Sequence, residues 1–347
     1  MTALVAVVAL AGCAKNDNVA VEETSVFVQI TNGLETKALG DAVGTTPIVF
    51  TDGFLFFADG SGVITKRSVI GASGDMTVTE LKAGKAITGV PTSSTQVFVV
   101  GNIPAGLTVP AAGNISYVKD LVITVASQAD GAAKVDKVTL YGAGAVSGTS
   151  ATLAVKPIAS RVEVARITGG GTIQTYKVAG VFINNYYPNS KLDGTISASG
   201  ALVNNANTVA NYVGGAGQYP STLPLYDYNA GGLPTMSGLI CAPAGKVWAY
   251  NVMAPSDAAA VAPRVIIRLT DVVLNNGYAY TADQFLTVKL YNGATLIPKL
   301  DAGKAYNIAN IAFTEANLTG EPETATISVT VTITMTDWTT VTVTPVL

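Results

Sequence analysis

Residues 327–347 read ISVTVTITMTDWTTVTVTPVL. Apolar side chains recur at every second position from Ile327 to Met335 with Ser or Thr between them, and the alternation resumes at Val341 and Val343. A period of two is that of a strand with one greasy and one hydroxylated face. The same signal appears near the other end, where SVFVQITNG puts Val26, Val28 and Ile30 on one face and closes on an Asn-Gly turn. Between these ends, strand patterns bounded by turn residues recur at 48–65, 94–106, 120–131, 134–144, 156–171, 175–190, 247–257, 263–277 and 284–293. No long window carries a helical period, and short helices are expected only near 114–122 and 301–312. Strands at this spacing predict an all-β chain of sandwich architecture with minor helix. Its 347 residues divide near residue 155 into halves of ordinary domain size.

Composition sharpens this picture. Charged residues make up 12% of the chain, about half the usual share. Thr, Val, Ala and 35 glycines favour strands and turns. A net charge of −3 leaves no basic surface for phosphates, which excludes a nucleic-acid partner. The mean hydropathy of +0.41 points to extensive burial, between subunits as well as within one.

Candidate chemistry is sparse. Histidine is absent, which removes the commonest general base and most zinc sites. GAGAVSG (142–148) and GGAG (214–217) lack phosphate-loop spacing and read as turns. YDYNAGG (226–232) offers Asp227 and Asn229 at alternate positions but lacks the further oxygen donors of a calcium loop. Tyr186, Tyr187, Tyr226 and Tyr228 could stack on a sugar, although packed tyrosines are the commoner outcome. No catalytic constellation stands out, so the chain reads as a non-enzyme with no catalytic, metal or cofactor-binding residues.

MTALVAVVALAGC is an apolar run too short to span a bilayer, and it suits a secretory signal over residues 1–12. LAGC (10–13) resembles a bacterial lipoprotein box, which implies lipidation of Cys13 and anchorage in membrane lipid. The polar, acidic AKNDNVAVEET follows, and after the first strand comes LETKALGDAVGTT with Lys37 in an exposed, protease-accessible composition. Cys241 lies among apolar neighbours in GLICAPAG and reads as a buried thiol.

Taken in order, these features resemble the fimbrillin family, the pilus subunits of the Bacteroides and Porphyromonas group (type V pili). The residues that carry the likeness are LAGC with its tether, Lys37 in ETKALG, PIASRVEVARI (157–167), GVFINNYYP (180–188), GKAYNIANIAF (303–313) and the alternating final strand with Trp338. The resemblance implies two β-sandwich domains of Greek-key-like (transthyretin-like) topology, spanning 38–155 and 156–347. It also implies export to the outer membrane and cell surface as a lipoprotein and cleavage between Lys37 and Ala38 by a maturation protease. Lys37 stands where family members usually carry Arg. Residues 13–37 are then the lipidated tether and removable first strand, with the strand itself at about Ser25 to Asn32. The implied partners are other copies and related pilins in a filament, leaving room for a receptor on a host or bacterial surface.

Residues 327–347 supply a donor with the periodicity of the removed strand, through Ile327, Val329, Val331, Ile333, Met335, Trp338, Val341 and Val343. Burying the first five is worth about 8–15 kcal/mol gross, from which association costs subtract. One stretch, 341–347 or 327–335, is free to stay in its own sheet while the other is donated. A lipid-anchored adhesin or glycan-binding lipoprotein that never polymerises is the alternative, motivated by the tyrosine-rich loops.

Overall fold

The computed structural model describes residues 22–31, 50–128, 138–204, 208–215, 217–233, 240–241, 247–292, 294–323 and 333–336. It is an all-β chain of two β-sandwiches, with 48% of the described residues in strands and 8% in helices.

The first sandwich packs two sheets face to face. Its five-stranded sheet runs in the order β3 (Ile64–Ile70), β2 (Gly53–Ala58), β5 (Gln96–Gly101), β7 (Leu140–Ala145), β9 (Lys156–Pro157). Its three-stranded sheet has β1 (Glu23–Thr31) between β4 (Lys85–Pro91) and β8 (Ser150–Ala154). Alternation decides what each face does. Leu55, Phe57, Val97, Val99 and Leu140 of the larger sheet meet Val26, Val28, Ile30, Ile87 and Leu153 of the smaller one in a closed core. Phe56, Ala58, Phe98 and Val100 point the other way, into a second core shared with the rest of the molecule. With both faces buried, β2 reads as the unbroken apolar run GFLFFA instead of an alternating one.

The second sandwich has the same logic. β10 (Ala159–Val164) lies between antiparallel β16 (Trp248–Met253) and parallel β21 (Ala305–Ile308). After Ala165, β11 (Arg166–Gly169) continues between antiparallel β15 (Ile240–Cys241) and parallel β22 (Ile311–Phe313). The facing sheet has the order β14 (Tyr226–Tyr228), β12 (Ile173–Asn184), β17 (Arg264–Leu274), β18 (Gln284–Lys289). A short hairpin of β19 (Tyr291–Asn292) and β20 (Thr295–Leu296) follows. β23 (Ile333–Thr336) adds to the edge of β21, antiparallel, pairing Ile308 with Ile333 and Ala305 with Thr336.

Two ladders cross residue 155. β9 completes the five-stranded sheet of the first sandwich, and β6 (Val122–Thr124) pairs with β13 (Asn189–Lys191) beyond it. The helix expected near 114–122 is α2 (Ser116–Lys119), whereas 301–312 forms strands because Ala305, Tyr306 and Ile308 are buried in a ladder. An unexpected helix, α1 (Val78–Ala83), starts at Thr77 with a capping box closed by Glu80.

A buried ion pair sits in the central strand of the second sandwich. Arg161 Nε donates to Glu163 Oε1 at 2.6 Å with exposures of 3% and 0%, and Asn307 Nδ2 donates to Glu163 Oε2 at 2.9 Å. Removing one partner of such a pair leaves a charge in the interior. Glu163→Ala should therefore destabilise the chain by about 3–5 kcal/mol, measured as a lowered urea midpoint at unchanged m-value. An unmoved midpoint would show that the pair contributes nothing.

Candidate functional site

The first strand occupies a slot, not an edge. On one side β1 runs antiparallel to β4, with Glu23 opposite Pro91 and Val28 opposite Lys85, and Thr92 N donates to Glu22 O at 2.9 Å beyond its end. On the other it runs parallel to β8, with Phe27 opposite Ser150 and Thr31 opposite Ala154. Both rows of main-chain groups are thus engaged, which an isolated edge strand cannot achieve. Beneath, Val26, Val28 and Ile30 are 1%, 0% and 2% exposed, and they form part of the core instead of covering it. At about 1.5–3 kcal/mol for each buried aliphatic side chain, the underside of β1 carries several kcal/mol gross.

The outer face is covered by α1. Its C-cap, Gly84, has φ +92°, a conformation favouring glycine, and a Cβ there would lie 2.1 Å from Phe27 Cζ. The glycine therefore gives the Phe27 ring its seat. Two residues on, Gln29 Nε2 donates to the Lys82 carbonyl at 3.1 Å near the same helix end. Glu80 holds α1 to β4 through Lys85 Nζ at 2.5 Å, and that ammonium, with bonds from Thr77, lowers the Glu80 carboxyl to about 2.

Ile333 and Met335 fall in β23, where they pair with Ile308 and Tyr306. Cys13, Lys37, Ala38, Ile327, Val329, Val331, Trp338, Val341 and Val343 lie outside the described residues. Asn32, the last residue of the expected removable strand, does so too, while Ser25 to Thr31 lie within β1. The tyrosines do not make a platform. Tyr186 and Tyr187 are 3% and 8% exposed, and Tyr226 stacks on Phe182 at 5.8 Å between ring centroids. Asp227 accepts a 2.8 Å bond from the Tyr250 hydroxyl of β16, and Asn229 Oδ1 accepts from Gly231 N at 2.9 Å within the loop, so each has a partner in the fold. Among the described residues no group of three acidic, Cys or His side chains could hold a metal ion, and no helix is long and apolar enough to cross a membrane.

The walls of the slot are what sequence reasoning missed. KAITGVP (β4) carries a glycine that interrupts its alternation, and β8 is short. A signal was available in SATLAVK, where Ala151, Leu153 and Val155 alternate and are all buried.

The overall fold recurs in solved structures. A fimbrilin (FimA) from Porphyromonas gingivalis W83 superposes with a TM-score of 0.55 at 15% identity, over 93% of this chain and 99% of its own. Two proteins each described as a "putative cell adhesion protein" match comparably. The one from Bacteroides eggerthii DSM 20697 has a TM-score of 0.54 at 15% identity, over 93% of this chain and 98% of its own. The one from Parabacteroides distasonis ATCC 8503 has a TM-score of 0.51 at 12% identity, over 93% and 99%. At these identities the likeness establishes a shared fold. No family model and no curated protein matches the chain.

Two outcomes follow from this geometry. Phe27→Ala empties the seat at Gly84 and should cost about 1–3 kcal/mol, less than a fully buried Phe because the ring is half-buried; the urea midpoint reads it. Burial raises the Asp227 carboxyl above its ordinary 3.8, the bond from Tyr250 opposing. The folded state therefore binds the proton more tightly than the unfolded chain, and this group's contribution is present at low pH and lost as pH rises through the raised value. Asp227→Asn should gain stability over the parent as pH rises above the ordinary carboxylate value of 3.8; a gap between their midpoints that does not change with pH would refute this.

Proposed function

We propose that this protein is a structural subunit of cell-surface fimbriae, exported as a lipoprotein, trimmed by a protease and polymerised head-to-tail by strand exchange in support of adhesion. One observation carries the reading: β1 is a central strand whose underside is core, attached to the rest of its sheet through main-chain ladders on both sides. Cleavage between Lys37 and Ala38 would leave β1 held by noncovalent contacts alone. Its departure would bare the edges of β4 and β8 and the side chains that Val26, Val28 and Ile30 now cover.

Such a slot cannot persist in water, and a strand from a neighbouring copy fills it by main-chain pairing and alternate apolar side chains. Residues 327–347 of the neighbour have the required period, and the shared fold with a fimbrilin supports the same reading. A contact from the tail of one molecule to the head of the next is heterologous, so it propagates a filament instead of closing a dimer. Lipid at Cys13 holds the precursor at the outer membrane, and cutting after Lys37 severs that anchor together with the strand. The partners are further copies, related pilins, the protease and the membrane lipid.

The mature N-terminus on cells tests this. Sequencing should find Ala38 in polymers, and Lys37→Ala should leave chains that begin at acylated Cys13 and form no ladder on SDS gels. Normal fimbriae from Lys37→Ala, or polymers whose subunits retain residues 13–37, would reject the assignment.

A further inference from the structure

β1 and the tail share more than a period. Ser25 to Thr31 reads SVFVQIT, and Ser328 to Thr334 reads SVTVTIT. Aligned, the two segments are identical at Ser, Val, Val, Ile and Thr and differ at two positions only, Phe27 against Thr330 and Gln29 against Thr332. The structure gives this coincidence a meaning. The identical aliphatic residues match Val26, Val28 and Ile30, the three that enter the core. The two that differ are those whose side chains face α1, one seated against Gly84 and the other bonded to the Lys82 carbonyl.

We infer that Ser328–Thr334 of a neighbouring copy is the segment that takes the slot, in the register that lays Val329, Val331 and Ile333 where Val26, Val28 and Ile30 now lie. This rests on the strand-exchange reading and commits it to one occupant and one register. The donor reproduces the buried face residue for residue, so the core closes without a cavity or an overpacked position. A slip of one residue would turn that face to α1. The rival segment after Thr336 fits less well. Val341 and Val343 can match Val28 and Ile30 only by burying Thr339 at the position of Val26; moving them to Val26 and Val28 puts Pro345, which has no N–H, at Ile30 inside the ladder.

The register has a second consequence. Ile333 and Thr334 already pair with Ile308 and Asn307 in their own sheet. Donation must therefore detach at least these two from the edge of β21, so pairing at home competes with pairing away. Among the described residues β23 pairs with β21 alone, whereas the vacant slot offers two ladders, so pairing away wins.

Cysteine pairs read the register directly. Gln29 lies opposite Thr152 of β8, so the inference puts Thr332 of one copy beside Thr152 of the next. In a Cys241→Ser background, polymers from Thr152→Cys/Thr332→Cys should become covalent ladders on oxidation and revert with reductant. Thr152→Cys/Thr342→Cys should not. In a separate pair without new cysteines, Val331→Asp should abolish assembly and Val343→Asp should leave it intact. Ladders from the 342 pair, loss of assembly in Val343→Asp alone, or polymers of the 332 pair that never cross-link would overturn the register and leave strand exchange standing. Parent polymers in which residues 25–31 stay covalently in place would overturn both.

Discussion

A strand in the middle of a sheet is held twice. β1 satisfies the facing main-chain groups of β4 and of β8 at once, and its underside supplies Val26, Val28 and Ile30 to the core of the first sandwich. Removing an edge strand exposes one row of unpaired groups; removing β1 would expose two and open the core between them. A vacancy of that kind is costly enough that the first sandwich needs an occupant of matching shape. Under the proposed strand exchange, cutting and refilling would be two halves of one step. In that proposal a protease and a second subunit act on the same seat.

Both sandwiches set their first strand between an antiparallel and a parallel neighbour: β1 between β4 and β8, β10 between β16 and β21. They differ in how replaceable that strand is. β10 runs through Ala165 directly into β11, and it carries the buried Arg161–Glu163 pair with the Asn307 bond. A substitute would have to reproduce a charged constellation in the interior, which few strands can do. β1 presents only aliphatic side chains inward, and Thr31 is separated from Phe50 by residues 32–49. A strand with aliphatic residues at alternate positions can answer its underside, so the proposed exchange would fall in the first sandwich.

Much of this was legible in the sequence. The alternation of SVFVQIT gave the inward face of β1, and the strand patterns at 48–65, 94–106 and 263–277 contain β2, β5 and β17, whose buried apolar residues hold them in ladders. What periodicity hides is pairing. Nothing local in KAITGVP or SATLA says that these two segments, far apart along the chain, flank the same strand. The expected helix at 301–312 failed for a related reason: Ala305, Tyr306 and Ile308 are strand residues because β10 lies beside them, a tertiary fact that overrides weak propensity. The capping box at Thr77 and Glu80 was readable, but a single helical turn and a half lies below what a hydrophobic period can reveal.

The outer face of β1 separates a resident strand from an arriving one. Core packing alone would treat two strands with Val, Val and Ile at alternate positions as equals. α1 does not, because Gly84 leaves room for an aromatic ring and the Lys82 carbonyl accepts from a side-chain amide. Phe27 and Gln29 use both, so the chain's own strand is favoured while it remains tethered and intramolecular. Those extra contacts are small beside the two ladders, and cutting the tether removes the advantage of local concentration that goes with them. A donor that matches the buried face but not the helix face then competes on concentration and on the length of its ladder. In the proposed exchange, retention before cleavage and replacement after it would follow from one division of labour, with the inward side chains setting fit and the outward ones setting preference.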